Sequence, residues 1–377
     1  MSNPCLNDEP TNSAFQAAVD LFGLDVEGLS HIDGGRVNET FMVQSRQGRF
    51  ILQKLNDFFH GSQALGQNWQ TVFQALKERS GAIVLPIPAI IPDIKGRLLS
   101  SAGHNSSVWR LTEFIEGRPA PKTASAAKKA GRLLGSIHYF LNFPSPLELE
   151  PLPEGEFTNQ RLTLAEDFSR LTDWYRGHPN LESIKPLIQQ AEEAALQLPL
   201  YPGFVNVFQQ RDVIIHGDPK ADNFIFNQSG EILALLDWDT VGYGHVLIDI
   251  AEMLRSWNVY PEATVISETR PGFENLAAVL EGYGQSGLEL QPWELELLPP
   301  VLRGIALNLA RRYLTDALAE VYFKWDNRKW PSLHHQNRAR AQAMLNLSEN
   351  LLRHEIELSD HLVRAYSFGR ESGDTRL

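Results

Sequence analysis

The sequence predicts an α+β protein of two unequal parts: a small antiparallel-sheet lobe with a helix over residues 1–115, then a larger, mostly helical lobe over residues 116–377. Three observations carry this. Between Gly28 and Gly117, short apolar runs alternate with glycine and proline turns and are broken by one helical stripe. Beyond Gly117 apolar residues recur at helical spacing in segment after segment. Inside that helical region a single stretch, Val213 to Leu236, returns to strand texture. Strands gathered ahead of helices, rather than alternating with them, mark α+β organisation.

Taken in order, "SAFQAAVDLFGL" repeats apolar residues at helical spacing with Ser13 as its expected N-cap. "LSHIDGGRVNETFMVQSRQGRFILQKLN" predicts two strands around Gly34-Gly35, a turn at Gln47-Gly48 and a third strand from Phe50 to Leu55. In "GSQALGQNWQTVFQALKERSG" one helical face carries Leu65, Trp69, Val72, Phe73 and Leu76. The prolines and glycines of the next segment separate further strands, the last beginning at Val108 and running out at Gly117. Helical stripes follow, first Ala130, Leu133, Leu134, Ile137 and Leu141, then others between Leu162 and Leu198. His138 lies on the first stripe, where a satisfied core histidine is the default. The strand pair from Val213 to Leu236 is expected to turn at Asn227 to Gly230. From Leu247 the chain is helical again, including one long segment from Glu294 to Phe323. There is no internal repeat.

A chain of 377 residues, 43% hydrophobic, is long enough for one large or two moderate cores. Its 34 Lys and Arg against 46 Asp and Glu, with no basic run, argue against a nucleic-acid partner. Cys5 is the only cysteine, which excludes an internal disulfide and Cys-rich zinc sites. The first ten residues lack the basic and apolar blocks of a secretory leader. No apolar run approaches the ~20 residues that span a bilayer. The expectation is a cytoplasmic protein without a membrane partner.

The chemistry concentrates in "VIIHGDPKADNFIF", Val213 to Phe226, and in Asp237-Trp238-Asp239 at the end of the following apolar run. Two acids and a carboxamide beside strand ends suit magnesium-dependent phosphoryl transfer. One carboxylate orients the attacking hydroxyl, and a second carboxylate with an Asn oxygen gives Mg²⁺ the hard ligands it prefers. The bland alternative, Asp218 and Asp222 capping turns with a core His216, accounts for neither the Asn nor the second acidic motif.

His-Gly-Asp-x4-Asn, an apolar strand and Asp-x-Asp together resemble the signature of the aminoglycoside phosphotransferase and choline kinase superfamily, relatives of the protein kinases. The resemblance implies a bilobal protein-kinase-like fold with ATP·Mg²⁺ between the lobes. It makes Asp218 the catalytic base, Lys220 a charge near the transferred phosphoryl group, and Asn223 and Asp237 the Mg²⁺ ligands. His216 and Asp249 would hold the catalytic loop, Asp249 also capping its own helix. Gly34 and Gly35 fall where the phosphate-covering hairpin turns, and a Cβ there would obstruct backbone approach to a phosphate. Gln53 falls at the position of the strand lysine, next to Lys54. Main-chain groups from Glu113 to Ile115 would hold adenine.

Within the superfamily the chain is most similar to N-acetylhexosamine 1-kinase-like sugar kinases, through "GGRVNETFMV", "RFILQKLN", the two acidic motifs and "ARRYLTDALAEVYFK". This implies a small-molecule acceptor, the anomeric hydroxyl of an N-acetylhexosamine or related sugar. Arg312 and Tyr322 on the late helix would face it, together with Asp239 and Arg36. Two rivals stand beside this reading. One is a kinase for homoserine, a choline-like alcohol or an aminoglycoside; the other is a nucleotide-binding pseudokinase, against which the intact Asp218, Asn223 and Asp237 speak.

Overall fold

In the computed structural model of the protein, the described residues are 9–32, 37–56, 63–80, 87–102, 107–152, 161–210, 212–257, 273–286 and 288–372. The first helix, α1 (Glu9–Asp20), begins before Ser13, so Ser13 lies inside it and is not its N-cap. The strands β1 (Val26–His31), β2 (Glu39–Ser45) and β3 (Gly48–Lys54) follow as an antiparallel meander. The helix α2 (Ala64–Arg79), strands β4 (Ile90–Ile91), β5 (Ser100–Ala102) and β6 (Ser107–Glu113) complete the first part. The sheet order is β1-β2-β3-β6-β4, with β5 also on β6. Alternation sends Phe41, Val43, Leu52, Trp109 and Leu111 to one face, where Ala14, Ala17 and Phe22 from the α1 region cover them. The helix α2 packs elsewhere: its Trp69, Val72 and Leu76 belong to the large core of the helical part.

A two-residue strand, β7 (Arg118–Pro119), opens the second part. It is followed by α3 (Ala124–Asn142), with Thr123 as side-chain N-cap, α4 (Ala165–Trp174), α5 (Leu181–Leu196) and α6 (Pro202–Gln209). The strand-textured stretch then resolves differently from the expected pair. Strands β9 (Phe224–Phe226) and β10 (Ile232–Leu235) form the hairpin turning at Asn227 to Gly230, and β7 adds to its edge. The preceding β8 (Val213–Ile215) pairs instead with β11 (Gly242–Gly244). The loop between β8 and β9 and the turn between β10 and β11 thus lie side by side, each held between buried apolar strands.

The remaining elements are helices: α7 (Val246–Trp257), α8 (Phe273–Gly284), α9 (Pro292–Ala319), α10 (Leu333–Arg353) and α11 (Glu355–Ser372). The α3–α8 contact is close enough that a Cβ on Gly131 would meet the Val279 carbonyl at 2.1 Å. The helix α9 stops at Glu320, whose φ of +53° is left-handed. Tyr322 therefore sits in the segment after the helix, not on it. Among the described residues, no helix is long and apolar enough to cross a membrane.

Candidate active site

The loop after β8 is shaped from behind by one carboxylate. Asp249, in the first turn of α7, is fully buried and accepts from the His216 and Gly217 amides at 2.7 and 2.8 Å. His138 of α3 lies 3.0 Å from the same carboxylate and 2.9 Å from the Tyr283 hydroxyl of α8. The predicted core histidine is thus part of the support. Asp249 holds two amides of the loop, while the N-terminus of α7 is met by His245, whose Nδ1 accepts from the Leu247 amide at 3.2 Å.

Gly217 turns the chain with φ +87°, and a Cβ there would lie 2.5 Å from the Thr240 carbonyl oxygen. Both facts demand glycine. The His216 ring accepts from the Asp218 amide at Nδ1 (3.3 Å) and faces the Leu236 carbonyl with Nε2 (3.2 Å). That pairing calls for the neutral ring with its proton on Nε2. Burial, the largest influence on the ring, lowers its pKa and favours this neutral form. The His216 ring thus bonds both within the loop and to the neighbouring strand end. The Thr240 hydroxyl donates to the His216 carbonyl at 3.0 Å and ties the loop to the neighbouring turn.

On this frame Asp218, Lys220, Asn223 and Asp237 are brought together. The Lys220 ammonium donates to Asp218 and lies 3.7 Å from Asp237. Asn223 donates from Nδ2 to the Asp218 carbonyl at 2.8 Å, which leaves its Oδ1 as the end able to act as a ligand. Burial raises the pKa of Asp218, but the Lys220 ammonium, with smaller help from His216 and Arg312, outweighs it and holds the carboxyl below its ordinary value. Asp237 behaves oppositely. Although 40% of its side chain is open, loss of water around it pushes its pKa up to about 6. The nearby Asp239 and Asp218 charges act in the same sense, against Lys220 and Arg110. The Asp218 and Asp237 carboxylates, which share the Lys220 ammonium, and the Asn223 carboxamide offer oxygens of the hard kind a divalent cation prefers. Among the described residues no cluster of three or more His, Cys, Asp or Glu side chains suited to a metal forms.

Asp239 turns away from this group. Its carboxylate receives both terminal nitrogens of Arg110, one at 3.1 Å, and the Asn38 amide at 3.3 Å. It thus faces the sheet, where sequence placed it at the acceptor. Arg110 is fully buried, lies 4.6 Å from the centre of the Trp69 ring, and donates to Gln53 Oε1 at 2.7 Å from the register position opposite it. Gln53 therefore stands beside a cation rather than replacing one. Lys54 is half-buried beside Glu39, 3.9 Å away.

Sequence reasoning missed Arg110, Asn38 and Lys324. The signal for Arg110 was a lone cation in the apolar strand "SVWRLTE". Lys324 donates to the Asn38 carbonyl and so joins the segment after α9 to the start of β2.

Arg312 donates to the Tyr322 hydroxyl at 3.2 Å, and its guanidinium stands 5.5 Å from the Tyr322 ring centre. The Arg312 charge adds a small contribution to lowering the Asp218 pKa. Asp316, near the end of α9, fixes the following segment by accepting the Val321, Tyr322 and Phe323 amides at 2.7 to 2.9 Å. In the hinge, the Glu113 amide is taken by the Ala89 carbonyl, while Ile115 follows as half-buried irregular chain. Gly34, Gly35 and Arg36 lie outside the described residues. His334 is buried at the head of α10 against the Ala317 carbonyl, whereas His335 is exposed.

The profile of the phosphotransferase enzyme family APH matches residues 28–293. Among solved structures, the chain is similar to an amicoumacin kinase in complex with AMP-PNP, Ca²⁺ and Ami, at 17% identity and a TM-score of 0.58, over 94% of this chain and 93% of that one. A microcompartment-associated aminopropanol kinase matches at 16% identity and 0.58, over 90% and 97% of the two chains. Choline kinase from Cryptosporidium parvum Iowa II matches at 13% and 0.52, over 91% and 93%.

Proposed function

Since the chain belongs to the APH phosphotransferase enzyme family and is an ATP-dependent small-molecule kinase, we propose that Asp218 is the base of its transfer step. The observation that carries this is the convergence of Asp218, Asn223, Asp237 and Lys220 on two adjacent, independently braced loops. The carboxyl held below its ordinary pKa is ionised near neutral pH and can accept a proton. As the acceptor oxygen bonds to the γ-phosphorus, the bond from that phosphorus to the bridging oxygen breaks. ADP leaves, and the hydroxyl proton passes to Asp218. Lys220 offsets the charge of both carboxylates and faces the transferred group. Asn223 Oδ1 and Asp237 would hold Mg²⁺, which when bound supplies neutralisation of the phosphate charge. Main-chain groups near Ile115 would receive adenine, and Gly34-Gly35 would cover the phosphates. We assign residues 1–115 to the nucleotide-covering lobe and the remainder to the catalytic and acceptor lobe.

For the acceptor we propose a neutral hydroxyl compound, with the anomeric hydroxyl of an N-acetylhexosamine as the favoured case. Arg312 beside Tyr322 and Lys220 beside Asp218 support a polyol over an amino alcohol, because an ammonium acceptor would be repelled by both cations. An ATP-consumption panel of N-acetylhexosamines, neutral sugars, homoserine, choline, aminopropanol and aminoglycosides tests this. Turnover restricted to the cationic compounds would overturn the acceptor class. Undiminished turnover in Asp218→Asn would overturn the base.

A further inference from the structure

Asp237 holds a left-handed backbone, with φ and ψ both 64°. A non-glycine residue keeps that conformation only where its surroundings impose it. On the N-terminal side, β10 and the Leu236 amide, bonded to the Asn223 carbonyl at 2.8 Å, fix the approach. On the C-terminal side two anchors follow at once. The buried Trp238 indole donates to the Leu235 carbonyl at 2.8 Å, and Asp239 enters the two-pronged pair with Arg110. The guanidinium is itself pre-aimed by Gln53 on one edge and the Trp69 face beneath. Planar, two-pronged pairing fixes direction as well as distance. Side-chain exposure of 0% for Arg110 and 6% for Asp239 shields the pair from water and salt.

We infer that Arg110 is a positioning residue for phosphoryl transfer: by clamping Asp239 from β6, it sets the turn that presents Asp237 to the reacting phosphates. This rests on the proposed reading of Asp237 as the metal-side carboxylate. A buried ion pair is weak support for stability, since exchange of both partners for neutral groups is often harmless while loss of one partner is not. What this pair adds is a single geometry. It also means that the sheet delivers its buried cation from β6, opposite the strand position where Gln53 stands.

That asymmetry between single and double changes supplies the test. Arg110→Met, Asp239→Asn and the double variant are compared by thermal unfolding, by kcat and KM for ATP, and by calorimetric titration with ADP in the presence and absence of Mg²⁺. Each single variant is expected to melt lower and to lose about 100-fold in kcat, the scale of a small misplacement of a reacting group. The double variant should regain its melting temperature but not its kcat, and the gain in ADP affinity that Mg²⁺ gives should shrink in it. Arg110→Lys should recover part of kcat and supplies the single-variant data if Arg110→Met does not fold.

Recovery of kcat together with melting temperature in the double variant would reduce the pair to a stability element. A raised KM for ATP at unchanged kcat would place Arg110 on the nucleotide itself. Either result overturns the inference. Asp237→Asn separates the premise: if it turns over normally, the reading of Asp237 has failed, whereas if it is inactive and Arg110→Met is not, only the positioning role has.

Discussion

The loop carrying Asp218 and the turn carrying Asp237 lie side by side, yet they are held by opposite means. The loop is gripped from behind, through its backbone, by Asp249 and the buried His138 and Tyr283, all within the helical part of the chain. The turn is gripped from the front, through a side chain, by Arg110 of the sheet. A backbone grip within the helical part holds Asp218 from behind. A side-chain grip across to the sheet makes the placing of Asp237 depend on how the sheet meets the turn.

The most damaging way to break this comparison is at the chemistry itself. Asp218→Asn is expected to lower kcat by about 10²- to 10⁴-fold, the usual contribution of a general base, with unfolding temperature little changed. Next comes the rear grip. Asp249→Asn replaces one of two accepting oxygens with an amide and should cost about 2 kcal/mol in urea unfolding. Amide exchange should speed up at His216 and Gly217 while remaining slow at Trp238.

A milder perturbation uses pH. Burial, opposed by the charge of Asp212, pushes the pKa of His245 down to about 4, against an ordinary value near 6.5, although the Glu294 carboxylate lies 3.5 Å from its Nε2. The folded state thus favours the neutral ring. Its contribution to stability is full above about pH 6.5 and is lost as pH falls toward 4, because the unfolded chain takes up the proton first. Stability should drop on the order of 1–2 kcal/mol between pH 7 and 5, and His245→Gln should flatten that slope in urea titrations. Because His245 meets the head of the helix that bears Asp249, acid should loosen the loop before the turn.

The smallest effect is expected at one of the struts between the two regions. Thr240→Val removes its bond to the His216 carbonyl and should cost about 1 kcal/mol. A larger loss there would show that the two grips are not independent.

The sequence made the loop readable because its parts are adjacent: the glycine, acids and carboxamide lie within eight residues between apolar strands. The helical stripes of α3, α5 and α7 were equally plain, since apolar periodicity is a local property. What was missed depends on distant pairing. Strand texture from Val213 to Leu236 could not show that β8 turns to β11 while β9 and β10 pair with each other. Apolar spacing carried the long helix on to Phe323, because nothing local announces that Asp316 captures three amides and ends the helical path. Asp239 looked like an acceptor contact because its partner Arg110 lies 129 residues away.

Asp316 has a consequence for how such an enzyme changes. It accepts the Asn337 amide as well as the three backbone amides, so the course of residues 321 to 323 is dictated by a carboxylate whose own contacts are all with the scaffold. Side chains on that stretch, from the largely exposed Val321 to the ring of Tyr322, can then be exchanged without redrawing the path beneath them. With Tyr322 at the acceptor, as proposed, a lineage could retune what it phosphorylates there in single steps.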